Sequence, residues 1–324
     1  MQTVRSDHWP LSLTGSSAAA DRARAAFAAA TASAAPALIV ADRGLDAAAI
    51  AHVLHERSRP GTPLVVINCA AANEDVDRQL FGKAARGAAH AELETIGADS
   101  ALMRAKGGTL YLQQILELPA TTQRRLARVL RDREVSAGGR RSPVRARVVA
   151  DAPASVATDV RDGQLRSDLF RRISQICIPV PSLRERQSDI PEVVETIVTE
   201  LRGGTPLTFT QAALTVLSAA AWPGNLDELR SVLERIVQTA PEGSVRQEDV
   251  LAYLPIDGAF ARIAPHVSLR EARQQFEREY IASVLERHRW SMSEAARTLG
   301  IERANLYRKT RQLGIMRRST RVAS

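Results

Sequence analysis

The sequence predicts a parallel α/β domain, then a small helical unit, then an all-helical helix-turn-helix domain. Three observations support this fold class. Apolar runs typical of buried parallel strands alternate with helix-like segments through the first half of the chain. Amphipathic helical segments then follow one another up to about residue 254. Close to the C-terminus, an Ala-rich helix, a tight turn and a basic helix occur in succession.

Composition and charge narrow the class of protein. The chain has 324 residues and is 45% hydrophobic, which is enough for a substantial core in two or three units. Since no apolar run approaches the roughly 20 residues that span a bilayer, we expect a cytoplasmic, nucleoid-associated protein without membrane contact. The segment from residue 266 to the end contains 13 Arg and Lys and 6 Asp and Glu. Its net charge is therefore +7, out of a net charge of +8 for the whole chain. This confined excess indicates an appended domain that binds a polyanion.

In chain order, residues 1–15 are predicted to be a disordered start, and "SSAAADRARAAFAAATA" an Ala-rich helix. The predicted strands are "ALIVA", "LVVIN", "TLYLQQI", "RARVVA" and "ICIPV", with "TTQRRLARVLRD" as a helix between two of them. The basic, glycine-rich stretch at 137–147 predicts a surface hairpin or loop, and an auxiliary DNA contact is the alternative interpretation.

After "VPSLRERQSDIP" the pattern is helical throughout, in four amphipathic segments that end near residue 254. Alternating charges at Arg184, Glu185 and Arg186 predict salt bridges at the junction of the two units. Trp222 is predicted to pack beneath the "WPGN" turn. Residues 255–267, with two prolines and no clear period, predict a linker.

The last sixty residues carry the clearest functional signal. An apolar stripe on the helix around residues 269–285 predicts a surface for pairing with a second copy. A short helix opened by Ser291 or Ser293, a turn at 299–301 and a basic second helix predict helix-turn-helix geometry. The predicted DNA contacts are Ser293, which caps the first helix, and Arg303, Asn305, Tyr307, Arg308 and Lys309. The alternative is a merely solvated basic helix in a three-helix bundle.

The cysteines and histidines predict no metal site. Cys69 and Cys177 lie in apolar, strand-like stretches without a neighbouring His or Cys at ligand spacing, so both are predicted to be buried structural thiols. The six histidines form no cluster in the sequence. No resident cofactor is expected.

The segments "VVINCAA", "QLFG", "GGTLYL", "LRSDLFRRI", "VPSLRERQSDIP" and "WPGNLDEL" resemble, in order, the AAA+ domain of the bacterial enhancer-binding proteins, the sigma-54-dependent activators. The C-terminal segment resembles the Fis-type helix-turn-helix of the same family. The resemblance implies an AAA+ α/β subdomain over 16–184 and a helical lid over 185–254. It also implies a DNA-binding domain over 268–316, followed by a basic tail over 317–324.

The resemblance also implies the positions of a phosphate-binding loop, and here the sequence departs from the family. The family's glycines correspond to Ala41, Gly44 and Asp46, and the phosphate-binding lysine corresponds to Ala47. Such a loop works by turning backbone N–H groups toward phosphates while the lysine neutralises charge. A carboxylate at Asp46 and a methyl group at Ala47 both oppose binding of a nucleotide.

Four further positions differ from the family's catalytic residues. Gln113 and Gln114 replace the Asp and Glu that hold magnesium and activate water, Pro153 replaces a sensor Asn, and Asp227 replaces a sensor Arg. The "GAFTGA" loop that touches sigma-54 is absent after "QLFG". The sequence therefore predicts that the chain is not an enzyme, and that its AAA+ domain is an oligomerisation scaffold independent of sigma-54 remodelling.

Arg166 and Arg172 match the family's trans arginine fingers, and pairing with nearby carboxylates is the alternative. The predicted function is a regulator that binds double-stranded DNA as a homo-oligomer, at least a dimer. RNA polymerase or a related AAA+ activator is a further possible partner. Two alternatives are open: a non-catalytic subunit in the ring of a competent relative, or an ATPase that hydrolyses by an unconventional route.

Overall fold

The computed structural model describes residues 9–71, 73–83, 93–203, 207–239, 244–254, 278, 281–282, 285, 290–298 and 303–313. The chain divides into two compact units, Met1–Ala252 and Tyr253–Ser324, and each is described by itself. The predicted linker at 255–267 and the predicted basic tail at 317–324 lie outside the described residues.

A five-stranded parallel sheet forms the centre of the first unit, as predicted. Its strands are β1 (Ala37–Val40), β2 (Leu64–Asn68), β4 (Thr109–Gln113), β7 (Arg147–Ala152) and β8 (Ile176–Pro179), in the order β2-β4-β7-β1-β8. Strand β1 lies between β7 and β8, with Ile39 in register with Asp151 on one side and Ile178 on the other. The residues that follow β1, β4 and β7 therefore meet at the carboxyl edge of the sheet.

Helices α1 (Ala18–Thr31), α2 (Ala47–Ser58), α3 (Asn73–Phe81), α4 (Ala101–Arg104), α5 (Ala120–Asp132), α6 (Val156–Arg161) and α7 (Ser167–Ile173) connect and flank these strands. Helix α1 buries Ala20, Ala23, Phe27 and Ala30, and small side chains let it pack closely on β8. The strand and helix faces enclose a core that includes Leu38, Leu110, Leu126 and Val148.

A second, three-stranded sheet contains β3 (Thr95–Ile96), β5 (Glu134–Ala137) and β6 (Arg140–Pro143). Strands β5 and β6 pair antiparallel, which confirms the predicted hairpin. Gly138 and Gly139 form its turn, and both have positive φ. The hairpin presents Arg140 and Arg141 to solvent.

The helical unit begins with a 3-10 segment over Leu183–Asp189 and continues as α8 (Ile190–Leu201), α9 (Gln211–Ala219), α10 (Asn225–Thr239) and α11 (Gln247–Leu251). Trp222 is 3% exposed and donates its indole N–H to the carbonyl of Leu217, as its predicted burial requires. Two short strands, β9 (Thr208–Phe209) and β10 (Ser244–Val245), pair in parallel, and the all-helical prediction missed them.

Two local predictions are wrong. Residues 9–15 are ordered, because Trp9 packs edge-on against Phe27 and Leu13 is fully buried. Cys69 is buried as predicted, but Cys177 is exposed, because β8 is an edge strand and this residue faces outward from it. A local sequence pattern does not show which strand lies at the sheet edge or what a segment packs against. Both predictions depended on that missing information.

The C-terminal unit contains α12 (Met292–Thr298) and α13 (Arg303–Gln312). Its core consists of Ile281, Leu285, Ala295, Ala296, Leu306 and Leu313. Helix α12 begins at Met292, so Ser291 precedes the helix. Ser293 lies in the first turn, exposed, and the predicted cap at Ser293 is therefore wrong. The turn at 299–301 lies outside the described residues.

In the described ranges, none of the helices is both long and apolar enough to cross a bilayer.

Candidate functional site

The loop between β1 and α2 lies at the carboxyl edge of the sheet. Gly44 has φ of +80°, and a Cβ atom there would overlap the backbone carbonyl of Gly224. The left-handed backbone disfavours a side chain at this position, and the nearby Gly224 carbonyl leaves no room for one. Only glycine therefore fits without strain. The loop has therefore kept the glycine that its shape needs.

Four amides of this loop already have acceptors in the protein. Ala41 N–H donates to the carbonyl of Ala152, Leu45 N–H to that of Asp42, and Ala47 N–H to that of Leu45. The Asp46 amide donates to the hydroxyl of Ser12 at 3.1 Å. A phosphate group would have to displace these acceptors to use the same donors.

Asp46 is the N-cap of α2, and its carboxylate accepts a hydrogen bond from the Ala49 amide at 2.8 Å. This position normally attracts an external anion, because several amides and the helix dipole point outward there. Here a side-chain anion occupies it, and Ala47 beside it contributes a methyl group. The chain therefore supplies its own negative charge where the family's loop receives phosphate.

The helical unit is joined directly to this loop. The Asn225 side chain donates to the carbonyl of Arg43 at 2.9 Å and accepts from the Leu183 amide at 3.1 Å. The Asp227 amide donates to the carbonyl of Gly44 at 3.2 Å, while the Asp227 side chain is exposed. Asp227 thus lies beside the loop, as predicted, but contacts it through its backbone.

At the end of β4, Gln113 and Gln114 lie beside Asp151 of β7. Gln114 has a left-handed backbone, and its amide donates to one Asp151 oxygen at 3.0 Å. The Tyr111 hydroxyl donates to the other oxygen at 2.6 Å. Burial raises the pKa of Asp151, while these two hydrogen bonds lower it. Burial, assisted by the Asp151 charge, also raises the pKa of the Cys69 thiol to about 12, so this thiol is inert.

These groups do not fit a magnesium ion. Both Asp151 oxygens are engaged, and the neighbouring glutamines are neutral. Among the described residues, no group of three or more His, Cys, Asp or Glu side chains is arranged to hold a metal. Pro153, at the predicted sensor position, accepts the amide of Val156 and so caps α6.

Arg186 is buried beside the N-terminal segment that supports the loop. It is 1% exposed, and its Nη1 donates to the carbonyl of Thr14 at 2.7 Å. Its Nε and Nη2 have no hydrogen-bond partner in the described part of the chain. Burial lowers its pKa to about 10, partly opposed by the charge of Asp189. The predicted junction salt bridge is therefore wrong for Arg186, and the Glu185 carboxylate instead accepts the Ser182 amide at 2.8 Å.

The two arginines that match trans fingers differ in environment. Arg166 forms a bidentate pair with Asp168, with a shortest separation of 2.9 Å, and both side chains are about 40% exposed. This is the pairing that the alternative interpretation predicted. Arg172 is half-buried and lines a cavity at the opposite edge of the sheet. The trans role of both arginines stays a prediction.

The other candidate site is the outward face of α13. Leu306 is fully buried in the small core, while Arg303, Tyr307 and Arg308 are exposed. The Arg308 guanidinium donates to the Asn305 side-chain oxygen at 2.7 Å, and that of Arg303 lies 5.7 Å from the centre of the Tyr307 ring. Asn305 and Lys309 are half-buried. Five of the six predicted DNA contacts thus share one helix.

Three known domain families match successive parts of this chain. The model for the sigma-54 interaction domain matches residues 13–179, more than half of the chain. The chain belongs to the sigma-54 interaction domain family. The AAA+ ATPase lid domain matches residues 184–258, and the bacterial regulatory protein, Fis family, matches residues 272–313.

Curated relatives of this sigma-54 family member are about one-third identical to it over the aligned residues. Nitrogen assimilation regulatory protein NtrX of Azorhizobium caulinodans is 34% identical over 298 residues, which cover 86% of this chain and 63% of the relative. Nitric oxide reductase transcription regulator NorR1 of Cupriavidus necator is 33% identical over 306 residues, 86% of this chain and 59% of the relative. The chain thus spans about 60% of the length of these curated relatives.

The solved structures with a similar fold include NtrX from Brucella abortus in complex with ATP. It is 29% identical with a TM-score of 0.63, covering 96% of this chain and 71% of NtrX. The complex of the same protein with ADP also gives a TM-score of 0.63 at 29% identity, covering 94% of this chain and 69% of NtrX.

These findings overturn the prediction that the chain is not an enzyme. The chain matches the sigma-54 interaction domain and the AAA+ ATPase lid domain, and the similar NtrX structures are complexes with ATP and ADP. The prediction gave full weight to individual positions such as Ala47 and Gln113. Changes at single positions alter local charge, but the fold and the lid that together make a nucleotide cleft are still present.

The sequence analysis missed three residues of the site. Asp151 occupies the cleft with a carboxylate, Asn225 links the lid to the loop, and Arg186 holds the N-terminal segment. An Asp immediately after the apolar run "RVVA" was a signal for the first. Asn225 has φ of +49°, which sequence does not reveal, although Asn after Gly is typical of such a backbone.

Proposed function

We propose that this chain is a transcriptional regulator of the sigma-54 activator type that binds specific double-stranded DNA through α13. The observation that carries this proposal is the two-sided character of that helix. Leu306 anchors one face in the apolar core, while Arg303, Tyr307 and Arg308 extend from the other. A rigid helix with a basic, hydrogen-bonding outer face suits the major groove of B-DNA.

The chemistry of the exposed face supports readout of bases as well as phosphates. Guanidinium groups form bidentate hydrogen bonds with guanine, and the Asn amide does so with adenine. Arg308 and Asn305 contact each other, so they act as one preorganised unit. Tyr307 is 50% exposed and offers an aromatic face with a hydroxyl at its tip.

We propose that the regulator works as a homo-oligomer on paired half-sites. Helix-turn-helix dimers read two half-sites about one helical turn apart. The predicted pairing helix over 269–285 lies largely outside the described residues, so this surface stays a prediction. Since the "GAFTGA" motif is missing, we propose that transcription is controlled by DNA occupancy rather than by remodelling through that loop.

The AAA+ cleft is proposed to take an adenine nucleotide, as NtrX does, but with lower affinity. Gly44 preserves the loop's shape. The loop lacks the lysine ammonium, and the Asp46 carboxylate opposes an incoming phosphate. Both Asp151 oxygens are engaged and the neighbouring glutamines are neutral, so the described residues of the cleft do not fit magnesium.

The DNA-binding proposal can be tested with the full chain. Duplexes are recovered from fragmented genomic DNA, and their affinity is measured by fluorescence anisotropy against unrelated duplexes of equal length and salt. We expect at least about 1000-fold preference for the recovered sites. Equal affinity for both sets would refute specific recognition. Titration calorimetry with ATP and ADP tests the cleft independently.

A further inference from the structure

A cavity of about 480 Å³ opens at the amino-terminal edge of the central sheet, opposite the nucleotide cleft. It lies where β1 and β7 begin and where α1 and α5 end. Its volume is in the range of small-molecule sites in proteins. Its lining includes Arg59, Arg133, Arg145, Arg147 and Arg172.

Five of the lining residues are therefore arginines, and none is acidic. An arrangement of like charges around one concave surface is unfavourable unless water or an anion offsets it. Because field lines concentrate in a cleft with low-dielectric walls, such a cavity attracts anions more strongly than the same arginines would on a flat surface.

Two of the arginines form the base of the cavity. Arg147 is 2% exposed and donates to the carbonyls of Ala30 and Ala35 and to the Ser58 hydroxyl. Arg59 donates to the carbonyl of Gly108 at 2.9 Å. Burial and the neighbouring Arg59 charge lower the pKa of Arg147 to about 10, so it is still cationic at neutral pH. Their hydrogen bonds fix the guanidiniums without cancelling their charge, because all these acceptors are neutral.

The other three arginines are available to a ligand. Arg133 and Arg145 are exposed at the opening, and in the described part of the chain their side chains form no hydrogen bond or ion pair. Arg172 is half-buried, and its charge is one of those that lower the pKa of the Asp132 carboxyl, after the larger effect of Arg131. That carboxylate is already held by Arg128 and Arg131.

We propose that this cavity binds a small, multiply charged anion of the oligophosphate class, either inorganic or carried by a nucleoside. Guanidinium groups suit phosphate because they donate in pairs and keep their charge. Several guanidiniums around one recess suit a chain of phosphates better than a single carboxylate. Duplex DNA is a convex rod, so it would touch the rim and leave the recess unfilled.

The test is titration of the full chain with sodium tripolyphosphate at constant ionic strength, followed by calorimetry. The Arg133→Gln/Arg145→Gln double variant removes two opening charges and leaves Arg59 and Arg147 in place. We expect it to bind about 10- to 100-fold more weakly, since each lost contact is a charge-assisted hydrogen bond. Arg161→Gln, on α6 beyond the opposite end of β7, is the matched control and should bind as wild type.

A cleft variant separates this site from the nucleotide cleft. Ala47→Glu places a second carboxylate at the phosphate loop and so removes any tripolyphosphate bound in the cleft. The loss of affinity caused by the double variant should persist when it is combined with Ala47→Glu. If Ala47→Glu weakens binding and the double variant does not, the anion occupies the cleft and the proposal fails. It also fails if tripolyphosphate does not saturate, or if only duplex DNA responds to the double variant.

Discussion

The side chain of Asn225 bridges the lid and the loop after β1, donating to Arg43 and accepting from Leu183. It is 4% exposed, so water does not compete for these bonds. Its φ of +49° places the amide between the two segments. One residue at the start of α10 therefore couples the lid to the phosphate-loop position.

Replacing Asn225 is expected to destabilise the first unit. Asn225→Ala should lower the free energy of unfolding by about 2 to 4 kcal/mol. It removes the partner of the buried Leu183 amide and of the partly buried Arg43 carbonyl, and it places alanine in a left-handed backbone. Urea unfolding measures the loss. Asn225→Gly is the matched control for the backbone. A glycine variant as stable as wild type would show that the amide contributes nothing.

Gly44→Ala should be more destabilising than an alanine at an unconfined glycine. Both Gly44 and Gly61 have positive φ, but a Cβ at Gly61 would have no heavy atom within 4 Å. We expect Gly61→Ala to cost about 1 kcal/mol for the backbone alone, and Gly44→Ala at least about 1 kcal/mol more for overlap with Gly224. Thermal unfolding compares them, and equal losses would contradict the close approach of lid and loop.

Restoring the missing charge should strengthen nucleotide binding. Asp46→Gly/Ala47→Lys removes a carboxylate and supplies an ammonium, so we expect ATP to bind about 10- to 100-fold more tightly. Calorimetry provides the measurement, and Asp46→Gly/Ala47→Met is the uncharged control of similar length. Identical affinities of the two variants would show that the ammonium cannot reach the phosphates in this cleft.

Asp151 predicts a pH dependence of stability. Because burial raises its pKa in the folded state, the folded protein holds its proton more tightly than the unfolded chain does. Stability contributed by this group is therefore greatest at low pH and falls as pH rises through the folded pKa. Asp151→Asn lacks this titration.

We therefore expect the stability of Asp151→Asn relative to wild type to increase from pH 4.5 to pH 7.5. Urea unfolding at both values tests this difference, with Asp162→Asn as the exposed control. A difference that decreases with pH would show that the hydrogen bonds from Tyr111 and Gln114 outweigh the burial.

Variants of α13 separate recognition from charge. Arg303→Ala and Asn305→Ala should each reduce operator affinity by about 1 to 3 kcal/mol and change sequence preference. Arg22→Ala removes an equal charge from the exposed side of α1 and should leave affinity unchanged. Anisotropy with operator and mismatched duplexes measures both effects, and an affinity loss without altered preference would assign the residue to phosphate contact.

The strands, the main helices and the helix-turn-helix core were predictable because each follows from a local apolar period. Leu306 and Ala295 illustrate this, since their spacing alone places them in the small core. The exposure of Cys177 and the order of residues 9–15 were not predictable, because they depend on which strand is at the edge and on what Trp9 meets. The chemistry of the cleft likewise depends on Asp151 and Arg186, which long-range packing brings near the loop.

The bond between the Ser12 hydroxyl and the Asp46 amide has a practical consequence for anyone handling the protein. An affinity tag or fluorophore attached just ahead of Trp9 would be separated from the first turn of α2 by a few residues and one hydrogen bond. Labels for nucleotide measurements therefore belong on a remote exposed residue of the first unit, where they cannot pull on that contact.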